Sequence, residues 1–281
     1  MNKKFLAMLL AGTLAWPLAA QAAPIIFTGT GVNAAAITAI RDAFRVAIGG
    51  GTVAGANGSF GGLRREINWD GVPDAFSAPN ALPANFFNVN SPRGVVFSTP
   101  GTGFAVSANS SIAPIEFGNI NAGYPSEFTA FSPQRLFTAI GSNITDVSFF
   151  VPGTAQQATT SAFGAIFSDV DLAGSSMAFF DLLGNSLGVF NVPAFGAGQE
   201  TFSFLGVQFE SAMVARIRIT SGNAALGAGV NDLSSGGTAD LVVMDDFLYA
   251  EPLAAVPEPA TLGLLGLGLA GIGFARRRKA H

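Results

Sequence analysis

Three groups of acidic residues define the chemistry open to this chain. The first lies in Arg64-Arg65-Glu66-Ile67-Asn68-Trp69-Asp70-Gly71-Val72-Pro73-Asp74. In an extended segment Glu66, Asn68 and Asp70 share a face; Asp70-Gly71 then turns and Asp74 follows. Oxygen donors converging on a turn suit Ca²⁺, which takes about 6–8 oxygens at about 2.3–2.6 Å. The spacing is not that of an EF-hand, because the D-x-[DN]-x-[DN]-G order is missing. Ordinary turn chemistry accounts for the same residues, with Asx side chains capping backbone and arginine pairing with Glu66. The second group is Ser168-Asp169-Val170-Asp171. On a strand Asp169 and Asp171 point to one face, and charges so close repel unless a cation or donors intervene. Ca²⁺ would relieve the repulsion, and so would a strand end that frays into water. The third group is Val243-Met244-Asp245-Asp246-Phe247-Leu248-Tyr249. Strand alternation predicts that Asp245 and Asp246 face opposite sides. An acid inside so apolar a strand needs a cation, an arginine or backbone donors.

Paired carboxylates also suit glycoside hydrolysis, one as acid and one as nucleophile. A histidine-free hydrolase or lyase is therefore a rival reading. The single histidine is His281 and cysteine is absent. A Ser-His-Asp triad, a Cys-His pair and a zinc site built on His and Cys are thereby excluded. Any metal must be held by oxygen, which favours Ca²⁺. For stacking on sugar rings, Trp69 and Tyr124 are the candidates, since both fall in loop-rich stretches. The 26 phenylalanines belong by habit to the core.

The elements that must position these groups are mostly strands. Short apolar runs at 115–117, 136–140, 144–151, 162–170, 177–181, 187–192, 201–209, 213–220 and 241–249 are separated by turn signals. These include Gly141-Ser142-Asn143, Pro152-Gly153, Gly184-Asn185-Ser186 and Ser221-Gly222-Asn223. Such spacing predicts a sandwich or barrel rather than βαβ units. Within 213–220, Ala215, Ile217 and Ile219 share one face and Arg216 and Arg218 the other, as in a half-buried antiparallel strand. Residues 33–48 carry the one helical pattern, with Asn33 as cap and Ile37, Ile40, Phe44 and Ile48 spaced by three or four. A short strand precedes it at 24–27. The segment 52–111 is rich in Gly, Pro, Asn and Ser. Its large apolar residues Trp69, Phe76, Phe86 and Phe87 argue for order, with strands over 66–69 and 94–98.

The ends differ from the body. Lys3 and Lys4, an apolar stretch and Ala20-Gln21-Ala22 predict a secretory signal peptide over 1–22. Between the ends, over 23–255, eight arginines face 17 acids, leaving a net charge of −9. That balance argues against nucleic acid, which needs clustered positive charge. At the other end, Val256-Pro257-Glu258-Pro259 precedes an apolar run over 260–275 and a basic stop at Arg276, Arg277, Arg278 and Lys279. The run would span about 24 Å as a helix, against about 30 Å of hydrocarbon, so crossing needs local thinning.

This tail resembles the PEP-CTERM sorting signal. Proteins bearing it are exported by Gram-negative bacteria that make exopolysaccharide, and an exosortase recognises and processes the tail. The resemblance implies a location and carries no catalytic residue. The 243–249 segment, more briefly, resembles the terminal "DDF-Y" strand of exported β-jelly-roll modules, some of which bind carbohydrate and use a structural Ca²⁺.

The expected whole is all-β: an antiparallel, jelly-roll-like sandwich over 23–251 with one short N-terminal helix, a linker over 252–257, and a sorting signal over 256–281 with a transmembrane helix at 260–275. Export by the Sec machinery, a temporary hold in the inner membrane, processing by an exosortase-type enzyme and release to the cell surface follow as expectations. The body is expected to be non-enzymatic and to contact exopolysaccharide. A Ca²⁺-dependent carbohydrate-binding module is the alternative.

Overall fold

The computed structural model describes residues 22–255 and positions 266, 268 and 269. The signal peptide expected over 1–22 and the hydrophobic helix expected over 260–275 otherwise lie outside them. Among the described residues no helix is long and apolar enough to cross a membrane.

The chain enters on β1 (Ile25–Gly31) and turns into α1 (Ala34–Ile48). Asn33 caps this helix, its side-chain oxygen accepting from the Ala36 N–H at 3.1 Å. Gly49 ends it at φ +79°, in the left-handed region that glycine adopts without penalty. The strands that follow are β2 (Ser59–Phe60), β3 (Arg64–Ile67), β4 (Val95–Ser98), β5 (Gly103–Val106), β6 (Phe137–Ile140), β7 (Ile144–Phe149), β8 (Ala158–Thr159) and β9 (Ala162–Ser168). After them come β10 (Ser176–Phe180), β11 (Ser186–Asn191), β12 (Phe202–Gln208), β13 (Arg216–Thr220), β14 (Val243–Ala250) and β15 (Leu253–Ala254).

Two antiparallel sheets form a β-sandwich. One runs β1-β12-β9-β14-β3-β2, with β6 also bonded to β14 and β5 to β6. The other runs β11-β10-β13-β7-β4. Their facing sides share one core, in which Phe163, Phe167, Phe247 and Tyr249 meet Val147, Phe149, Phe179, Ile217 and Ile219. The back of the larger sheet is covered by α1, where Ile37, Phe44 and Ile48 lie on Ala162, Ile166, Phe204, Leu248 and Ala250. Strands β9 and β14 are thus buried on both faces, which is why β9 reads as a nearly continuous apolar run, as does β14 apart from Asp245 and Asp246. β13 behaves as its pattern predicts: Ile217 and Ile219 are fully buried, while Arg216 and Arg218 face out and grip Asp146.

The structure departs from the sequence expectations in three places. Residues 115–117 form no strand, because Glu116 and Phe117 take φ of 49° and 63°, a turn conformation that no strand contains. Segment 52–111 matches the expectation of short strands between long loops: β3 and β4 fall near 66–69 and 94–98, β2 and β5 are added, and β3 and β4 pair with β14 and β7 of opposite sheets. In β14 the pairing register to β9 shifts between Met244 and Phe247. This bulge breaks the alternation that would have sent Asp245 and Asp246 to opposite faces. Beyond β14, the first part of the expected spacer is a strand: β15 pairs with β8.

Candidate functional site

Strand β9 ends at Ser168, and the chain turns at Asp169, whose φ is 70°. Asp171 follows two residues on. Facing them are two acids of the connection between β13 and β14, Asp232 and Asp240. The fifth member, Glu127, ends a 3-10 turn over Tyr124–Ser126. The five are 0–4% exposed: Glu127 2%, Asp169 0%, Asp171 4%, Asp232 1% and Asp240 2%. Carboxylate oxygens of Glu127, Asp169 and Asp232 lie within 4.8 Å of one another, and so do those of Asp171, Asp232 and Asp240. Asp232 belongs to both sets.

Each acid but one has its own protein donors. Asp240 accepts the N–H groups of Asp171 at 3.0 Å and Leu172 at 3.3 Å. Asp232 accepts those of Ser234 at 2.8 Å and Leu241 at 2.6 Å. Glu127 is met by the hydroxyls of Ser234 and Ser235. Asp171 accepts the Gly198 N–H at 3.3 Å through one oxygen, and its other oxygen has no donor. Asp169 has no donor on either oxygen. The buried hydroxyl of Thr201, whose carbonyl accepts the Asp169 N–H at 2.9 Å, is unpartnered as well. No ion pair among the described residues reaches any of the five; the arginines pair with Asp42, Glu66, Asp74, Asp146, Asp246 and Glu251 instead.

The electrostatic consequence is large. Burial first, and then the Asp232 charge, push Asp169 up to about 10 and Asp171 up to about 7. Burial also raises Asp240. Without a cation, Asp169 therefore keeps its proton at neutral pH. A charge that burial opposes becomes tolerable only beside an opposite charge. All donors are oxygen, the set that hard cations prefer.

Of the other candidate acids, none joins this cluster. Asp245 accepts from the Phe131 and Ser132 N–H groups, and the Ser132 hydroxyl stands 3.2 Å from Asp245 and 2.9 Å from Asp246. Arg41 lies 3.7 Å from Asp246. Burial still raises both carboxyls. Asp70 and Asp74 line one cleft of about 420 Å³ with Arg135. Asp70 accepts the N–H groups of Gln134 at 2.7 Å and Arg135 at 3.1 Å, while Asp74 accepts the Arg135 guanidinium at 2.6 Å and Asn109 at 2.8 Å. Unlike Asp169, each of these four carboxylates has protein donors or an arginine beside it.

The two aromatic candidates are core. Trp69 is 1% exposed and stacked on Phe137 with centroids 4.1 Å apart, its indole N–H donating to the Asp245 carbonyl at 2.8 Å. Tyr124 is 2% exposed, with its hydroxyl 3.0 Å from the Gly227 and Val230 carbonyls. Neither offers a face to a sugar. Sequence reasoning singled out Asp169 and Asp171 and missed Glu127, Asp232 and Asp240. One signal was present: Asp232 and Asp240 are the only charges between Ser221 and Val242, a stretch otherwise of Gly, Ala, Ser, Thr, Asn and aliphatic residues.

The PEP-CTERM protein-sorting motif family matches residues 255–279. The chain carries that motif at Val256, Pro257, Glu258, Pro259 and the arginine cluster. No curated protein matches the chain. Among solved structures, the enzymatically active domain of bacteriophage CBA120 tailspike protein 4 aligns at 12% identity and a TM-score of 0.23, over 60% of this chain. The aligned part spans 20% of that structure's length, and so low a score carries no functional argument.

Proposed function

We propose that the chain is a non-enzymatic surface or matrix protein, freed at the cell surface once its tail has been processed. The observation that carries this reading is the PEP-CTERM motif over 255–279, which implies export and sorting by an exosortase. In this reading the leader over 1–22 feeds the chain to the Sec machinery. The apolar run 260–275 then holds it in the inner membrane, with Arg276, Arg277 and Arg278 on the cytoplasmic side, where basic residues favour staying. The folded body stands outside and contacts exopolysaccharide. Its sandwich is jelly-roll-like in that neighbours within a sheet are rarely consecutive in sequence, as with β9 between β12 and β14.

Two observations support the absence of catalysis. A polymer-cleaving enzyme needs its acids where substrate can reach them, and the five clustered carboxylates are all buried. A broad cleft of about 1210 Å³, lined by Phe150, Gln156, Leu182, Leu183 and Leu253, holds one carboxylate, Asp181. That group is engaged by the Leu183 and Asn185 N–H groups and the Asn185 side chain.

Cells producing the full chain should yield the body in the surface or extracellular fraction, starting near Ala23 and lacking its arginine stop. Uncut chain confined to the cytosol would overturn the export reading. Purified body should release no reducing ends from the producing cell's polysaccharide; release would overturn the non-enzymatic reading. A second reading, a Ca²⁺-dependent carbohydrate-binding module, is favoured by the buried acidic cluster. It requires polysaccharide affinity that a chelator removes, and affinity indifferent to chelator would dismiss it.

A further inference from the structure

We propose that Glu127, Asp169, Asp171, Asp232 and Asp240 hold a pair of calcium ions bridged by Asp232, and that these ions clamp the connection between β13 and β14 onto the end of β9. The inference does not depend on where the chain goes.

The geometry supplies two sets of three carboxylates, each within 4.8 Å, that share Asp232. The independent sign of a missing ligand is Asp169. It is 0% exposed, both its oxygens lack a donor, and it is aimed into the cluster. One oxygen of Asp171 is in the same state. Buried carboxylate oxygens are normally satisfied, so two orphaned groups side by side call for a positive partner. No arginine provides it: no ion pair among the described residues reaches the five, and Arg41 and Arg135 are committed to Asp42, Asp246 and Asp74.

Charge counting favours two ions over one. Five carboxylates around one divalent ion leave three negative charges in a buried volume; around two ions they leave one. Ten carboxylate oxygens, some of them shared, can serve two ions once water or backbone carbonyls complete the shells of about 6–8 oxygens each. The ion's identity follows from the ligands. Nitrogen and sulfur donors are lacking, which disfavours zinc and later transition metals. Mg²⁺ demands near-octahedral geometry and keeps several waters, whereas Ca²⁺ accepts an irregular and largely dehydrated oxygen shell. This position is also separate from Asp245 and Asp246, where protein donors and Arg41 already serve.

The clamp has a mechanical role. Glu127, Asp169 with Asp171, and Asp232 with Asp240 come from three chain segments distant in sequence. The connection bearing Asp232 and Asp240 also supplies Leu226, Ala239 and Leu241 to a satellite core with Phe117, Tyr124 and Phe128. Releasing the ions would leave crowded buried carboxyls, some of them taking up protons, beside that small core, loosening the connection before the main sandwich.

The test uses the full chain, stripped with chelator and titrated with CaCl₂ in a calorimeter. Two ions per chain are expected, with a rise in Tm of roughly 5 °C or more at saturation. No binding overturns the site, and one ion per chain overturns the bridged pair. Asp232→Asn should abolish both ions. Should that variant fail to fold, Asp169→Asn decides. Asn is a neutral, nearly isosteric replacement for a carboxyl whose oxygens lack donors, so in chelator it should melt close to the parent, and in calcium it should lose most of the rise. An Asp169→Asn variant that binds two ions and follows the parent's Tm in calcium would overturn the assignment. Hydrogen exchange gives a second readout: calcium should slow the amides of Ser234 and Leu241 at least tenfold while those of β13 stay unchanged, and equal exchange with and without calcium would overturn the clamp.

Discussion

Asp240 accepts the backbone N–H of Asp171 at 3.0 Å, so a connection next to β14 is tied to the turn after β9 by a carboxylate that is itself 2% exposed. A second bond, from the Leu172 N–H at 3.3 Å, uses its other oxygen. Replacing Asp240 with Ala strands the buried Asp171 N–H and the part-buried Leu172 N–H and should cost about 1–3 kcal/mol by urea unfolding in chelator. Asp240→Asn keeps one acceptor and removes a charge, and should cost less than the Ala variant. Equal losses in the two variants would mean that charge, not hydrogen bonding, governs this contact.

In chelator the protein should lose stability as pH rises across neutrality. Asp171 is raised to about 7 and Asp169 to about 10. A carboxyl whose folded pKa lies above its unfolded value binds more protons when folded. Its contribution is therefore complete below the unfolded pKa, near 4, and declines until the folded pKa is reached. Each such group gives a slope of at most about 1.4 kcal/mol per pH unit. The urea midpoint in chelator should be lower at pH 8 than at pH 5.5. A midpoint that climbs over this interval would contradict the buried, donor-free state of Asp169.

Much of the body was legible because its signals are local. Alternation in 213–220 placed Ile217 and Ile219 inward and Arg216 and Arg218 outward, and Asn33 marked the start of α1. What escaped was set by partners remote in sequence. At the bulge, Asp245 and Asp246 meet Ser132 and Arg41, more than a hundred residues away, and the alternation expected of a regular strand is broken. Trp69 reads as a loop aromatic until Phe137 and the Asp245 carbonyl are seen around it. The acidic cluster was half legible. Asp169 and Asp171 announce their repulsion by spacing, whereas Glu127, Asp232 and Asp240 join them only through the fold.

On the outer face of the smaller sheet, Asp146 is gripped by two arginines. Arg218 lies opposite it in register and donates at 3.0 and 2.8 Å, and Arg216 adds a bond at 2.7 Å. Burial would raise this carboxyl, but the Arg218 and Arg216 hydrogen bonds outweigh it and hold the group below the ordinary carboxylate range. A depressed carboxyl stabilises the fold above its unfolded pKa and ceases to do so as pH falls through the folded one. Asp146→Asn should cost about 1 kcal/mol at pH 7, since both arginine side chains are partly solvated. The gap to the parent should narrow below about pH 4. A gap of constant size from pH 7 to pH 3 would assign the loss to packing.

The seat of α1 rests on two glycines directly opposite each other, Gly206 of β12 and Gly164 of β9. They leave a flat patch on which the Phe44 ring lies. A Cβ at Gly206 would come within 2.8 Å of the ring, and one at Gly164 within 2.8 Å as well. Neither glycine has a positive φ, so contact and not backbone freedom explains the choice. The ring cannot slide away, because Phe27 and Phe204 flank it with centroids 5.4 and 5.7 Å distant. Gly206→Ala should therefore destabilise by about 1–3 kcal/mol, the usual penalty for overpacking a filled site. Phe44→Leu creates space at its own cost, and the added methyl should then be better tolerated. The double variant is expected to be at least about 0.5 kcal/mol more stable than the sum of the single losses. Strict additivity in that cycle would show that the glycine matters for some reason other than the ring above it.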